Sequence, residues 1–171
     1  MSTAAAIPAP VAVYHEEQLF GWWVYAMIAA VVAIVCVLTL PRSVADGGHG
    51  PSVPVVLIAI LALPTALVVG VLRMTTEVTA SRVEVWFGWV PTYRRCLDAG
   101  AIRRVEVVTY RPLADCGGWG IRTGRDGERV LNARGDRGVR LHMIDGSRLL
   151  IGSQTPEMLA ASIERAMGPG G

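Results

Sequence analysis

The stretch GVRLHMIDGSRLLIG (138–152) decides the fold class of this 171-residue chain. Apolar and polar side chains alternate on both sides of Asp145-Gly146, and a period of two predicts two β-strands. An Asp-Gly pair between two such runs is a strong signal for a tight antiparallel hairpin. The alternation divides the first strand into two faces: Val139, Leu141 and Met143 on one, Arg140 and His142 on the other. The hairpin is therefore predicted to bury one face.

Further strands are predicted on the N-terminal side of this hairpin. Runs with the same alternation lie in TEVTASRVEVWFG, TYRRCL, IRRVEVVTY and ERVLNA. In TPEMLAASIERAM (155–167) the period changes to that of a helix, with Thr155 as N-cap and Pro156 in the first turn. The apolar stripe of this helix consists of Leu159, Ile163, Ala166 and Met167. We therefore predict an α+β fold, in which about seven or eight short antiparallel strands form a small barrel or sandwich capped by the C-terminal helix.

Two long uncharged runs precede the β region. Hydrophobic residues make up 52% of the chain and its mean hydropathy is +0.43, which is high for a soluble domain. The excess lies in GWWVYAMIAAVVAIVCVLTL and VPVVLIAILALPTALVVGVL. At about 1.5 Å per residue, each run is long enough for a helix that crosses a bilayer. The predicted organisation is a flexible tail (1–19), a first transmembrane helix (20–41), a short exposed loop (42–52), a second transmembrane helix (53–73) and the β domain (74–168).

The distribution of arginine predicts the orientation of these spans. The chain has no lysine, and fifteen of its sixteen arginines lie in 73–171 against eleven acidic residues, a net charge of +4. The loop contains only Arg42 and the tail contains no arginine. The positive-inside rule therefore predicts a two-span protein of the cell membrane with a cytoplasmic C-terminal domain. The three cysteines favour a reducing compartment, because none is in a C-x-x-C pair and an odd number makes a poor disulfide framework. The alternative is a single Cys96–Cys116 bridge in an exported domain.

Four motifs of the β region occur in a characteristic order. They are VTASRVEVWFG, AIRRVEV, RGVRLHMIDGSRLLIGS and the helix start TPEML. Together with the two apolar runs, they resemble the bacterial pleckstrin-homology-like (PH-like) membrane proteins over about residues 20–167. The resemblance implies a membrane-anchored PH-like barrel, usually of unassigned function. Eukaryotic relatives of that fold bind phosphoinositides through a basic first hairpin, but the matching hairpin here has Arg82 beside Glu77 and Glu84, so that ligand is not implied.

The stretch CGGWGIRTGRDG (116–127) suggests a ligand site. Glycine-rich backbone beside a cation can bind an anion, which makes Trp119 and Arg122 the candidate ligand-binding residues. A nucleotide loop is not indicated, because a Walker motif needs lysine and the glycines lack the dinucleotide-binding spacing. The favoured interpretation is structural: Gly118 and Gly120 let a neighbouring backbone approach closely or bulge the strand, while Trp119 packs on one side.

The sequence contains no arrangement typical of an enzyme. A G-x-S-x-G elbow is absent, and without lysine there is neither a Schiff base nor a lysine general base. Cys96, Cys116 and His142 lack zinc-ligand spacing, so neither a metal nor another cofactor is expected. The pairs Arg94-Arg95 and Arg103-Arg104 are predicted to split between the two faces of their strands, without an aromatic ladder, so no nucleic-acid partner is expected.

These observations predict a membrane-anchored PH-like domain that acts as a non-enzymatic protein-interaction or assembly module. The expected partners are the lipid bilayer and either another protein or a second copy of the chain. The alternative is a lipid-headgroup or small-ligand sensor that uses an arginine-rich rim at the inner leaflet.

Overall fold

The computed structural model describes residues 12–45, 65–66, 70, 72–89, 91, 93–124 and 126–168, and within the first helix the side chains of 22–35 and 37. The strands are β1 (Tyr14–Leu19), β2 (Arg73–Val78), β3 (Arg82–Phe87), β4 (Tyr93–Asp98), β5 (Ile102–Thr109), β6 (Gly120–Thr123), β7 (Arg129–Asn132), β8 (Arg137–Met143) and β9 (Arg148–Gly152). The helices are α1 (Trp22–Ala45), α2 (Pro112–Cys116) and α3 (Pro156–Met167), with one 3₁₀ turn at Ala99–Ala101.

The described strands form two sheets. The N-terminal sheet has the order β1-β2-β3-β4, and each neighbouring pair is antiparallel. The C-terminal sheet has the order β5-β8-β9-β7-β6, and only its β7–β9 pair is parallel. That parallel pair arises because the β6–β7 hairpin lies between β5 and β8 in the chain but docks on the far side of β9. The predicted Asp145-Gly146 hairpin is confirmed, since β8 and β9 pair with Val139 opposite Ile151.

A hydrophobic core lies between the two sheets and is closed by α3. Leu159 and Ile163 are fully buried, and Ala166 and Met167 pack against the same cluster, which confirms the predicted apolar stripe. Thr155 is the N-cap of α3 but makes no capping hydrogen bond with its side chain. The chain is therefore α+β, with antiparallel sheets and a C-terminal helix.

The predicted transmembrane hairpin is wrong. Over the described part of the chain, no helix combines the length and the apolar composition that crossing a membrane requires. The prediction of a two-span protein of the cell membrane with a cytoplasmic C-terminal domain depended on that hairpin, and it is wrong as well. The second predicted span lies outside the described residues, except for 65–66, 70, 72 and 73. An uncharged run of suitable length is necessary for a span, but it does not by itself establish one.

The predicted N-terminal tail contains a strand. β1 pairs along its whole length with β2, from Tyr14 opposite Val78 to Leu19 opposite Arg73. The outward-facing Glu17 forms an ion pair with Arg73. On the inward face, the Glu16 carboxylate accepts hydrogen bonds from the Ser153 hydroxyl at 2.6 Å and the Gln154 backbone N–H at 2.7 Å. The domain therefore includes residues on both sides of the 20–72 segment.

Candidate functional site

The glycine stretch begins at the end of a short helix. Pro112 starts α2, and Gly117 ends it with a left-handed φ of 73°. The N–H of Gly117 donates to the carbonyl of Leu113, and the N–H of Gly118 donates to that of Pro112. The first of these bonds, made by a left-handed glycine at the helix end, is that of the αL form of helix C-cap. This turn delivers the chain to Trp119 and then to the edge strand β6.

The predicted close approach at Gly118 and Gly120 is wrong. A Cβ at Gly118 would meet only the Arg122 side chain, at 3.6 Å, and a Cβ at Gly120 would meet nothing within 4 Å. Glycine is required there for another reason, since the φ angles are +127° and +102°. Close approach occurs instead at Gly138, where a Cβ would lie 2.4 Å from the carbonyl oxygen of Ile151.

Trp119 lines a cleft that also contains the start of α1. This aromatic cleft, defined by Gly21, Trp22, Trp23, Trp119, Arg134 and Gly135, encloses about 210 Å³. The rings of Trp23 and Trp119 are tilted against each other, with centroids 5.3 Å apart. Gly21 leaves room for this contact, because a Cβ there would lie 2.5 Å from the indole nitrogen of Trp23. The indole N–H of Trp119 donates to the Gly135 carbonyl at 3.4 Å.

Arg122 lies beside this cleft rather than in it. Its Nε donates to the backbone carbonyl of Trp119 at 3.1 Å, and its side chain is exposed. Arg122 belongs to β6, the outermost strand of the C-terminal sheet. The structure therefore brings the two predicted site residues together through Trp119's main chain, but only the Trp119 side chain helps to form a cleft.

Arg103 and Arg104 lie in a second cleft, which sequence reasoning missed. The register of β5 against β8 shifts between Ile102 and Arg104, so Arg103 is the extra residue of a β-bulge. A bulge changes the direction of side chains along its strand. Both arginines consequently line one cleft of about 300 Å³, and the prediction that this pair splits between faces is wrong. We call this the arginine cleft; its other lining residues are His142, Met143, Gly146, Ser147 and Arg148.

The other predicted arginine pair does split. Arg94 lies opposite Trp86 in the β3–β4 register, whereas Arg95 lies opposite the buried Val85. Arg94 forms an ion pair with Glu84. The hydrogen bond from Arg94 holds the pKa of the Glu84 carboxyl below its ordinary value.

The two cysteines whose side chains the structure describes are not activated for nucleophilic chemistry. Cys96 is exposed and Cys116 is buried. Desolvation and the neighbouring Glu84 carboxylate raise the pKa of the Cys96 thiol, and burial raises the pKa of Cys116. Both thiols therefore remain protonated at neutral pH, and the thiolate is the reactive form. Within the described ranges, no three His, Cys, Asp or Glu side chains are arranged to hold a metal ion.

A polar network lies on the outer face of the C-terminal sheet. Glu128 is buried and accepts two hydrogen bonds from Arg140, at 2.6 and 3.2 Å. Beside it, burial raises the pKa of Tyr110 to about 12, and the Tyr110 hydroxyl accepts a hydrogen bond from Asn132. These groups satisfy one another, which is the behaviour of a structural network.

Comparison with known proteins does not assign the chain to a family. Neither the models of known protein families nor the sequences of curated proteins match it.

Proposed function

We propose that this chain is a non-enzymatic protein-interaction module whose partner contributes an extended segment to the aromatic cleft and the edge of β6. The contact between Trp23 and Trp119 is the observation that carries this proposal. It places two large aromatic rings beside an open sheet edge. Tryptophan and arginine are the residues most enriched among those that dominate binding energy at protein interfaces.

The edge strand supplies the backbone part of the interaction. β6 pairs only with β7 among the described strands, and an edge strand presents unpaired N–H and C=O groups to an incoming chain. Trp119 directly precedes β6, and Ile121 is 38% exposed. A segment paired with β6 would therefore pass beside the aromatic cleft, which is the arrangement used in strand-addition complexes.

The charge beside β6 indicates the chemistry of the partner. Arg134 lines the cleft, and its guanidinium has no hydrogen bond or ion pair within the part of the chain that the structure describes. Arg122 and Arg129 are also exposed nearby. The partner segment should therefore combine an aromatic or large apolar side chain with at least one carboxylate.

The lining of the aromatic cleft favours binding over catalysis. It consists of three indoles, a guanidinium and glycine backbone. None of these groups is a nucleophile or a general base at neutral pH.

We also retain as a proposal the resemblance to PH-like domains. It is supported by the antiparallel N-terminal sheet, the second sheet that follows it and the C-terminal helix. The β6–β7 hairpin and its parallel contact with β9 are additions to that plan.

A peptide-display selection against the purified full chain tests the proposed function. We expect enriched sequences that combine aromatic and acidic residues. The Trp119→Ala variant should weaken their binding by roughly 30-fold or more, as expected for a tryptophan at the centre of an interface. Trp89→Ala is the matched control, because Trp89 is 77% exposed and follows β3 in the other sheet.

The two variants distinguish a specific site from general stickiness. Enriched peptides that bind Trp119→Ala as tightly as the parent would contradict the proposal. Equal losses in Trp119→Ala and Trp89→Ala would also contradict it, because such losses indicate contact with any exposed indole. Circular dichroism of both variants confirms that the fold is retained.

A further inference from the structure

The arginine cleft gathers positive charge at one end of the C-terminal sheet. The β5 bulge brings Arg103 and Arg104 to the cleft, and β9 supplies Arg148 from its first position. His142 enters from β8, directly opposite both Arg104 and Arg148 in the strand register. Three guanidinium groups and one imidazole therefore surround a single space of about 300 Å³.

The two bulge arginines are not neutralised. Arg103 and Arg104 are exposed, and neither makes a hydrogen bond or an ion pair within the described residues. Arg148 makes two long contacts, both with Asp126: 3.5 Å to its exposed carboxylate and 3.4 Å to its backbone carbonyl. His142 has Glu106 as its partner at 3.3 Å. The cleft therefore keeps guanidinium N–H groups free to donate to a ligand.

The nearby hairpin carboxylate has partners of its own. Asp145 accepts hydrogen bonds from the Ser147 backbone N–H at 2.8 Å and from the Ser147 hydroxyl at 2.6 Å. These bonds hold the pKa of the Asp145 carboxyl below its ordinary value. Asp145 therefore stabilises the β8–β9 turn as an anion, and it is not among the residues that line the cleft.

We propose that the arginine cleft binds the phosphate group of a small phosphate-bearing ligand. Guanidinium groups match phosphate oxygens with paired N–H donors. A single carboxylate satisfies one such group, whereas a phosphate offers enough oxygens and charge for several. The space is at the lower end of the range for small-molecule sites, which fits a phosphate on a small organic body. Met143 supplies the apolar part of the lining.

This site is separate from the surface assigned to the protein partner. The arginine cleft involves His142 and Met143 at the end of β8, whereas the aromatic cleft involves Gly135, just before β8 begins. The two sites therefore lie toward opposite ends of the same strand. Loss of one should not remove the other.

Isothermal titration calorimetry of the purified full chain with inorganic phosphate and with glycerol 3-phosphate tests the proposal. We expect both to bind, glycerol 3-phosphate more tightly, and binding to weaken with added salt. Arg104→Ala and Arg148→Ala should each weaken binding about tenfold to a hundredfold, because each removes a charge-assisted contact. Arg104→Lys, which keeps the charge but loses the paired donors, should fall between parent and Arg104→Ala.

Arg82→Ala is the matched control, since Arg82 is an exposed arginine in the other sheet. The Arg82→Ala variant should bind inorganic phosphate and glycerol 3-phosphate with the affinity of the parent. Equal affinities in all the variants would overturn the proposal, as would citrate binding as tightly as glycerol 3-phosphate. An unfolding temperature equal to that of the parent shows, for each variant, that a loss of affinity is not caused by misfolding.

Binding to lipid vesicles distinguishes a soluble phosphate ligand from a lipid headgroup. Phosphatidylcholine vesicles with and without phosphatidic acid present the same group on a lipid. Binding of soluble phosphates alone supports a free metabolite as the ligand, whereas Arg104-dependent binding of the phosphatidic acid vesicles supports a lipid headgroup. If neither the soluble phosphates nor the vesicles bind, the proposal is wrong.

Discussion

Replacement of Glu16 by alanine should destabilise the whole domain, although Glu16 lies in a segment whose sequence gives little indication of a strand. Its carboxylate accepts hydrogen bonds from Tyr14 at 2.5 Å, Ser153 at 2.6 Å, the Gln154 N–H at 2.7 Å and Gln18 at 3.2 Å. Tyr14 and Gln18 are buried, so water does not replace the acceptor that they lose, although the Gln18 amide keeps the Gly152 carbonyl as a partner at 2.8 Å. Each such loss costs about 1–3 kcal/mol, and Tyr14 retains Thr155 as a second partner at 2.8 Å. We therefore expect a total loss of about 2–4 kcal/mol, which corresponds to a fall in Tm of roughly 5–15 °C.

Thermal unfolding of Glu16→Ala beside Glu17→Ala provides the assay. Glu17 is the adjacent carboxylate, but it faces outward, is 46% exposed and pairs with Arg73. Exposed ion pairs contribute about 0–1 kcal/mol, so Glu17→Ala should unfold close to the parent. Similar Tm values for the two variants would refute the reasoning, because β1 would then not be fixed to the loop before α3.

Four further outcomes are expected. Gly138→Ala should lower stability by about 1–3 kcal/mol, measured by urea unfolding, since its Cβ would meet the Ile151 carbonyl; parental stability would show that the strands can separate. Gly120→Ala should cost about 1–2 kcal/mol through its φ of +102° alone, and its crystal structure should show no strand displacement. Leu159→Ala should cost about 2–5 kcal/mol, because Leu159 on α3 is fully buried in the core; a smaller loss would mean that α3 is loosely docked. Burial raises the pKa of Tyr110 from 10.0 to about 12, so its contribution to stability is complete below pH 10 and is lost as pH rises towards 12; Tyr110→Phe should remove that alkaline loss in unfolding experiments.

The short-range repeat of apolar and polar residues was sufficient to predict most of the β domain. The β8–β9 hairpin and the buried face of β3 follow from alternation, and the α3 stripe follows from a helical repeat. Each depends on residues that are close in sequence. Leu159 and Ile163, for example, lie one helical turn apart and are both fully buried.

β1 was not predicted because its inward face is polar. A polar pattern such as that of Tyr14, Glu16 and Gln18 does not indicate a buried strand face. The hydrogen-bond partners that hold this face in place are more than 130 residues away in the sequence: Gly152, Ser153 and Gln154. The membrane prediction was wrong because an uncharged run of about twenty residues permits a span but does not by itself establish one.

The candidate sites depend on long-range contacts that one sequence does not reveal. Trp119 was identified, but its contact with Trp23 joins residues that lie 96 positions apart in the sequence. The arginine cleft depends on a bulge at Arg103, and a bulge is visible only against the partner strand. Simple alternation therefore gave the wrong face for one of the two arginines.

Hydrogen–deuterium exchange on β6, with and without the strongest peptide from the display selection, tests the proposed interaction most directly. Backbone pairing would shield amide groups that an edge strand otherwise exposes. The account predicts slower exchange in the β6 segment 120–123, in the parent and in Trp89→Ala, but little change in Trp119→Ala. Unchanged exchange in β6 of the peptide-bound parent, or protection confined to another strand, would contradict it.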